Sequence, residues 1–431
     1  MTPFGNPFRG ASCNASVLSS ASVPVGVPRL CKEGLAGVKQ AGGGWGWRAA
    51  TLWLVLAQAP FAMAQPLENV GIRDSRGSLV DVAARTAYLQ KVPRDAYLAS
   101  SLPEENDCAA VKPVVPPHGP MVIPPRYASG NHGPLHPDYE ATVQLYRDFE
   151  SNAATFANQY VAFEQPRYAQ CLLSHLDRWA QAEALLDYTV SIEKGASNQA
   201  WYQTEWSASA AALALSQVVK EPSLDGVVLK RVIAWLHRVS SKQISYPGGD
   251  NTCCNNHAYW RGVHATMVGV LANDAELFRW GLGRYRLAID QIASDGSWPL
   301  EIARHEQALH YQNYALLPLV TIAEIAAQQG IDLYGYEAHG RSIHNAVDYL
   351  VSALAQARAT TSPGDKPPLD LRAFAPGRGD QAWAEFYRAR FGRDPLGLLS
   401  KPVNSPRNGG RATLLVYQPD KANANATASR P

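Results

Sequence analysis

From residue 139 onward, apolar side chains return every three to four positions, the period of a helix with one buried face. This pattern predicts helices at 139–160, 166–184, 198–219, 224–242, 256–273, 275–294, 299–328 and 339–357. The breaks are short and carry Pro, Gly, Asn or Asp, as in KEPSLDG and ASDGSWP. Alternation with period two, the mark of strands, is nearly absent. Residues 65–138 read differently. The run KPVVPPHGPMVIPPRYASGNHGPLHP holds too many prolines for regular helix. A short helix near 80–90 followed by an extended loop is expected. Residues 361–380 read as a Pro/Gly loop, WAEFYRARF as one more helix, and KANANATASRP as a disordered tail. Antiparallel helices joined by short loops pack as side-by-side hairpins. There are too many for a four-helix bundle, and no strict repeat marks a solenoid. The expected class is all-α, an α/α toroid, that is, an incomplete barrel of antiparallel helical hairpins, with a Pro-rich N-terminal lid loop.

The N-terminus changes the domain picture. Residues 49–64, AATLWLVLAQAPFAMA, are apolar, follow Arg48 and end in the Ala62-Met63-Ala64 pattern read by signal peptidase. The run is too short, and too interrupted by Gln58 and Pro60, to span a membrane. It predicts secretion, with cleavage after Ala64 and a true start downstream of residue 1. The expected division is 1–64 as extension and signal, 65–395 as the helical domain, and 396–431 as C-terminal loop and tail. Removing 1–64 takes away five basic residues and one acid, so the formal net charge moves from +2 to −2. Such a chain has no general electrostatic attraction for nucleic acid, and any polyanion it handles needs a local cationic cluster. The same cut reduces six cysteines to Cys108, Cys171, Cys253 and Cys254. In an oxidising compartment four cysteines permit two bridges in three connectivities, and the lack of a CxxC pair argues against a zinc ribbon. Eleven Trp and nineteen Tyr supply rings for core packing, or for stacking on sugar faces in a carbohydrate groove.

Two stretches carry most of the candidate chemistry. In DNTCCNNHAYWRG, residues 250–262, Asn255 or Asn256 can cap the following helix. His257 then shares a face with Trp260, Arg261 and His264. A bridge between Cys253 and Cys254 would close a very small ring. Such a ring removes little unfolded-state entropy, so its value would be in positioning Asn256 and His257. In SDGSWPLEIARHEQALHYQNYALLPL, residues 294–319, Pro299 suits a first helical turn. Arg304 and Tyr311 fall seven apart on one helical face. Arg304 offers a fork matched to a carboxylate. Tyr311 offers a phenol able to move a proton if a cation lowers its pKa. A plainer reading makes this an amphipathic helix with a surface Glu301–Arg304 ion pair. A third stretch, 197–215, puts Gln199, Gln203 and Trp206 on one face of an Ala-rich helix, where packing alone could account for them. His305 and His310 are five apart, so HExxH zinc geometry fails, and there is no GxSxG, Walker loop or GxGxxG motif.

The motifs NNHAYW (255–260), DGSWPLEIARHEQALHYQNYAL (295–316) and CLLSHLDRWAQAEALL (171–186) resemble the alginate lyase family, bacterial poly(β-D-mannuronate) lyases with an α/α toroid. The resemblance covers roughly 80–360. It implies Asn256, His257, Arg304 and Tyr311 as the catalytic group. Tyr127, beside Arg126, would belong to a mobile lid in the Pro-rich N-terminal loop. Gln199, Trp206 and Trp260 would contact sugar. The disulfides implied are Cys108–Cys171 and Cys253–Cys254. No metal or cofactor is expected, and the implied partner is an anionic polysaccharide in the periplasm, with alginate export machinery as a further candidate. The expected reaction is β-elimination at mannuronate, with Asn256 and Arg304 neutralising the C5 carboxylate, His257 assisting, and Tyr311, ionised or nearly so beside Arg304 and His257, taking the C5 proton. Two alternatives compete: a lyase or hydrolase of another polysaccharide, with Asp295, Glu301 and Glu306 as the local carboxylates, and an inactive alginate-binding component.

Overall fold

A computed structural model describes residues 67–129, 133–191, 193, 197–249, 252–360 and 369–419. The predicted signal and the KANANATASRP tail lie outside them. The described residues form one compact unit. Its helices are α1 (Val82–Lys91), α2 (Ala96–Ser101), α3 (Tyr139–Phe163), α4 (Pro166–Gln181), α5 (Gln199–Val218), α6 (Gly226–Ser245), α7 (Asn256–Ala272), α8 (Ala275–Asp290), α9 (Pro299–Ile302), α10 (Ala308–Gln328), α11 (Ile343–Thr360), α12 (Ala382–Phe391) and α13 (Ala412–Val416). Asp81, Asp95, Asp225, Asn255 and Asp274 each accept a backbone N–H at the start of the helix that follows, which fixes those boundaries.

The long helices pair as α3/α4, α5/α6, α7/α8 and α10/α11. Helices α3, α5, α7 and α10 pack against one another in that order and form the inner layer. Helices α5, α7 and α10 are buried nearly all round, as an inner layer requires, whereas α6, α8 and α11 bury one stripe and wet the other. This is the α/α toroid expected from the helical period.

The structure corrects two boundaries. The predicted helix 299–328 is broken: α9 ends at Ile302, His305 takes a left-handed φ of 51°, a 3-10 turn covers His305–Gln307, and α10 starts at Ala308. The amphipathic period continues across the break, which hid it. The segment after 396 is also no simple loop. Two short antiparallel strands, β1 (Asn404–Ser405) and β2 (Gly410–Arg411), flank a 3-10 turn at Pro406–Asn408. Asn158 of α3 and Gln217 of α5 donate to the Gly409 carbonyl at 3.0 and 2.8 Å. Gly410 has φ 102°, and a Cβ there would meet Asn158 Oδ1 at 2.2 Å, so only glycine lets the hairpin dock. Cys108 bonds to Cys171 and Cys253 to Cys254.

Candidate active site

The first turn of α7 faces two buried carboxylates. Asn255 Oδ1 accepts the His257 N–H at 3.0 Å and so acts as the cap, which leaves Asn256 free for another partner. That partner is Glu301 of α9. It accepts the Asn256 backbone N–H at 2.6 Å and its Nδ2 at 2.9 Å. Glu301 is fully buried and is not the surface ion-pair residue expected. Burial pushes its carboxyl up to about 7, against the lowering pull of Asn256 and Arg304. Glu205 of α5, also fully buried, takes the His257 Nδ1 at 2.6 Å. Burial holds its carboxyl above the ordinary range, and His257, Arg261 and Arg407 pull it back part of the way. With Nδ1 committed, His257 presents Nε2 as its free edge. Tyr202 stacks on its ring, with centroids 4.0 Å apart.

Across the site Arg304 Nη2 donates to the Tyr311 hydroxyl at 2.9 Å, and its guanidinium lies 3.9 Å from the ring centroid. The two meet as expected but not along one continuous helix. Arg304 sits in the break, where the His305 turn swings it onto α10. The expected ionised phenol is corrected. Burial pushes Tyr311 up to about 12, and Arg304 and Arg126 only partly offset this. Tyr311 is 9% exposed, so desolvation of a phenolate outweighs one adjacent cation.

The remaining contacts close a circuit. Trp206 lies 6.1 Å from His257, and the Arg407 guanidinium covers Trp206 at 4.3 Å. Arg407 also acts on Tyr314, whose ring is 6.5 Å from that of Tyr311. Arg304 acts on Glu301, which binds Asn256 beside His257. Arg126 and Tyr127 come from the predicted lid segment, where the His136 N–H donates to the Arg126 carbonyl and Tyr127 bridges to Leu135. Both influence the Tyr311 phenol. Gln199 opens α5, half-buried and one turn before Tyr202.

Three expected face-mates of His257 are buried away from it. Trp260 is fully buried and packs 5.7 Å from Tyr314, beneath the site rather than on a sugar. His264 is buried against Ser240. Arg261 covers Trp201 at 4.3 Å and donates to the Thr252 carbonyl at 2.8 Å, holding the loop that carries Cys253–Cys254. Helix α7 is an inner helix buried on all sides, so a shared face does not mean a shared exposure. Sequence reasoning missed Glu205, Tyr202 and Arg407. Glu205 had a signal, since a lone acid in an Ala-rich buried helix demands a partner. Arg407 had none: only the docked hairpin brings it in, with Nε donating to Glu150 at 2.8 Å.

Among the described residues no group of three or more His, Cys, Asp or Glu is placed to hold a metal ion, and no helix is long and apolar enough to cross a membrane. Of the three local carboxylates, Glu301 is sequestered, while Asp295 and Glu306 are exposed. The family model described as alginate lyase matches residues 83–360. A polysaccharide lyase of Stenotrophomonas maltophilia is 31% identical over 291 residues, covering 64% of this chain and 80% of the relative. The crystal structure of alginate lyase A1-III from Sphingomonas species A1 is 51% identical with a TM-score of 0.76, covering 83% of this chain and all of that one. A histidine-to-alanine variant of A1-III complexed with tetrasaccharide is 52% identical with a TM-score of 0.77, covering 82% and 99%. A tyrosine-to-phenylalanine variant in the same kind of complex matches at 51% and 0.77, covering 83% and 99%. With most of the helical ring inside the matched region, the chain belongs to the alginate lyase family.

Proposed function

We propose that the protein cleaves β-1,4-linked mannuronate in alginate by β-elimination, leaving a 4-deoxy unsaturated uronate at the new non-reducing end. The observation that carries this reading is the circuit itself. Tyr311 accepts a hydrogen bond from Arg304 and feels the charge of Arg126, while Asn256 and His257 are each held by a buried carboxylate, Glu301 and Glu205. A second support comes from spacing. The histidine and tyrosine altered in the A1-III complexes lie 54 positions apart, the interval between His257 and Tyr311.

In this mechanism Asn256 and Arg304 donate to the uronate carboxylate, with His257 assisting, so charge spreads onto it as the C5 proton leaves. Tyr311 Oη, as phenolate, takes that proton. The C5–H electrons form the C4–C5 double bond, the C4–O bond breaks, and Tyr311 returns the proton to the departing oxygen. In mannuronate both groups lie on one side of the ring, so one residue serves twice. Arg126 and Tyr127 close over the bound chain, and Trp206, Gln199 and Arg407 line it. No step requires a metal.

A neutral resting Tyr311 and a His257 fixed by Glu205 also favour a second substrate. In guluronate the two groups leave from opposite sides, so His257 Nε2 would take the proton and the Tyr311 hydroxyl would give one. The test is to incubate mature protein with defined mannuronan and guluronan blocks, without added metal, and follow unsaturated product by UV absorbance. New reducing ends without absorbance would mean hydrolysis, and binding without turnover would mean an inactive component. We further propose export to the periplasm with cleavage after Ala64. N-terminal sequencing of exported protein checks this and would refute it by finding residues from 1–47.

A further inference from the structure

An asparagine amide is two-faced. Its nitrogen edge attracts a carboxylate, and its oxygen edge repels one. The two edges exchange by rotation about one soft torsion, so an asparagine that must hold an anion needs something to choose its edge. At Asn256 the choice is visible. Glu301 receives both the backbone N–H, at 2.6 Å, and Nδ2, at 2.9 Å. Ionised, Glu301 accepts only, so the rotated amide would set two oxygens against each other in a fully buried place. Arg304 lies three residues beyond Glu301 on the same short segment and acts on its charge. An anion bridging Asn256 and Arg304 therefore meets the nitrogen edge that Glu301 has turned to that side. The same carboxylate sits at the free N–H end of α7, where a negative charge is favoured.

We propose that Glu301 is a positioning residue of the elimination site, fixing the Asn256 amide nitrogen-first toward the substrate carboxylate and tying that amide to the segment that carries Arg304. The inference rests on the reading of Asn256 as a carboxylate ligand and adds the device that makes it one. Replacing Glu301 by glutamine keeps the volume and inverts the chemistry. The new side chain accepts the Asn256 backbone N–H through its oxygen and donates through its nitrogen. Asn256 then satisfies that donor by rotating, and it turns its oxygen toward the substrate.

The experiment is a double-mutant cycle on mannuronan, with wild type, Glu301→Gln, Asn256→Ala and the double variant. Melting temperature is measured alongside kcat and KM. For Glu301→Gln, kcat falls about 10²–10³-fold, the loss typical of one oxyanion donor, while the melting temperature stays within about 3 °C. Because Glu301 acts through Asn256, the double variant is no slower than Asn256→Ala alone, within about threefold. Multiplying losses overturn the proposal, and so does Glu301→Gln within about threefold of wild type. If Glu301→Gln does not fold, Glu301→Asp keeps the charge and draws it back by one methylene, so a partial loss in a folded protein is expected. Wild-type kcat there, or failure of both variants to fold, also overturns it. An inactive wild type, or a fully active Asn256→Ala, would instead refute the reading of the site on which the inference rests.

Discussion

Replacing Arg304 with methionine isolates the one cation bonded to the Tyr311 hydroxyl. Methionine keeps bulk over the ring, where the guanidinium lies 3.9 Å from the centroid, and deletes the donor at 2.9 Å. A hydrogen bond to a charged partner contributes about 1.5–3 kcal/mol. Tyr311 is 9% exposed, so solvent screens little of that. At about 1.36 kcal/mol per pKa unit the phenol rises a further one to two units or so. Burial already holds Tyr311 at about 12, so over pH 7–10 the phenolate is a minor species in both proteins. The sign follows directly. A base that must lose its proton gains activity as pH rises, about tenfold per unit below its pKa, and kcat/KM reports the free enzyme. Both profiles therefore climb in parallel on mannuronan, with the variant at least about tenfold lower throughout. Loss of the guanidinium from the carboxylate adds to this, so tenfold is the floor. The assay is initial velocity of unsaturated product at low substrate. A wild-type profile that levels off below pH 9, or a variant within threefold of wild type, would refute the phenolate mechanism.

Other consequences are equally concrete. Tyr311→Phe folds, binds oligomannuronate and loses most turnover; retained turnover rules Tyr311 out as the base. His257→Ala is nearly inactive and loses about 1–3 kcal/mol by chemical denaturation, because Glu205 is left buried without its 2.6 Å partner; unchanged kcat would make His257 a packing residue. Burial depresses His175 to about 4 and His264 to about 3, so both are neutral in the native protein and charge on unfolding. Their stabilisation is complete above pH 6.5 and is lost as pH falls toward those values. Between pH 6.5 and 5 each contributes a loss of about 2 kcal/mol, read from urea midpoints, and His175→Gln removes its share of the slope. Replacing Cys108 and Cys171 by serine opens a bridge of sequence separation 63 and costs about 4 kcal/mol of stability, whereas the same change at Cys253 and Cys254 costs far less stability than activity.

The sequence by itself determined the long helices up to α8 and their order, because helix formation answers to local period and to the residue at each N-terminus. Asp225, Asn255 and Asp274 stand where the caps are, and the runs they open are legible without any partner. It also placed Asn256, His257, Arg304 and Tyr311 on two stretches whose spacing the family resemblance makes specific. The charge state of the site was beyond it. Whether Tyr311 is ionised, or Glu301 lies at the surface, depends on how much water remains beside each group, and burial is a property of the assembled toroid. The same limit applies to Trp260, which a helical wheel puts beside His257 and the inner layer hides entirely. Arg407 is the clearest case. It lies 150 residues from His257 in the chain and reaches Trp206 only because Gly410 lets a hairpin press against Asn158 and Gln217. Local pattern is set by neighbours a few positions away. Desolvation and long-range pairing are set by what the rest of the chain brings to the same place.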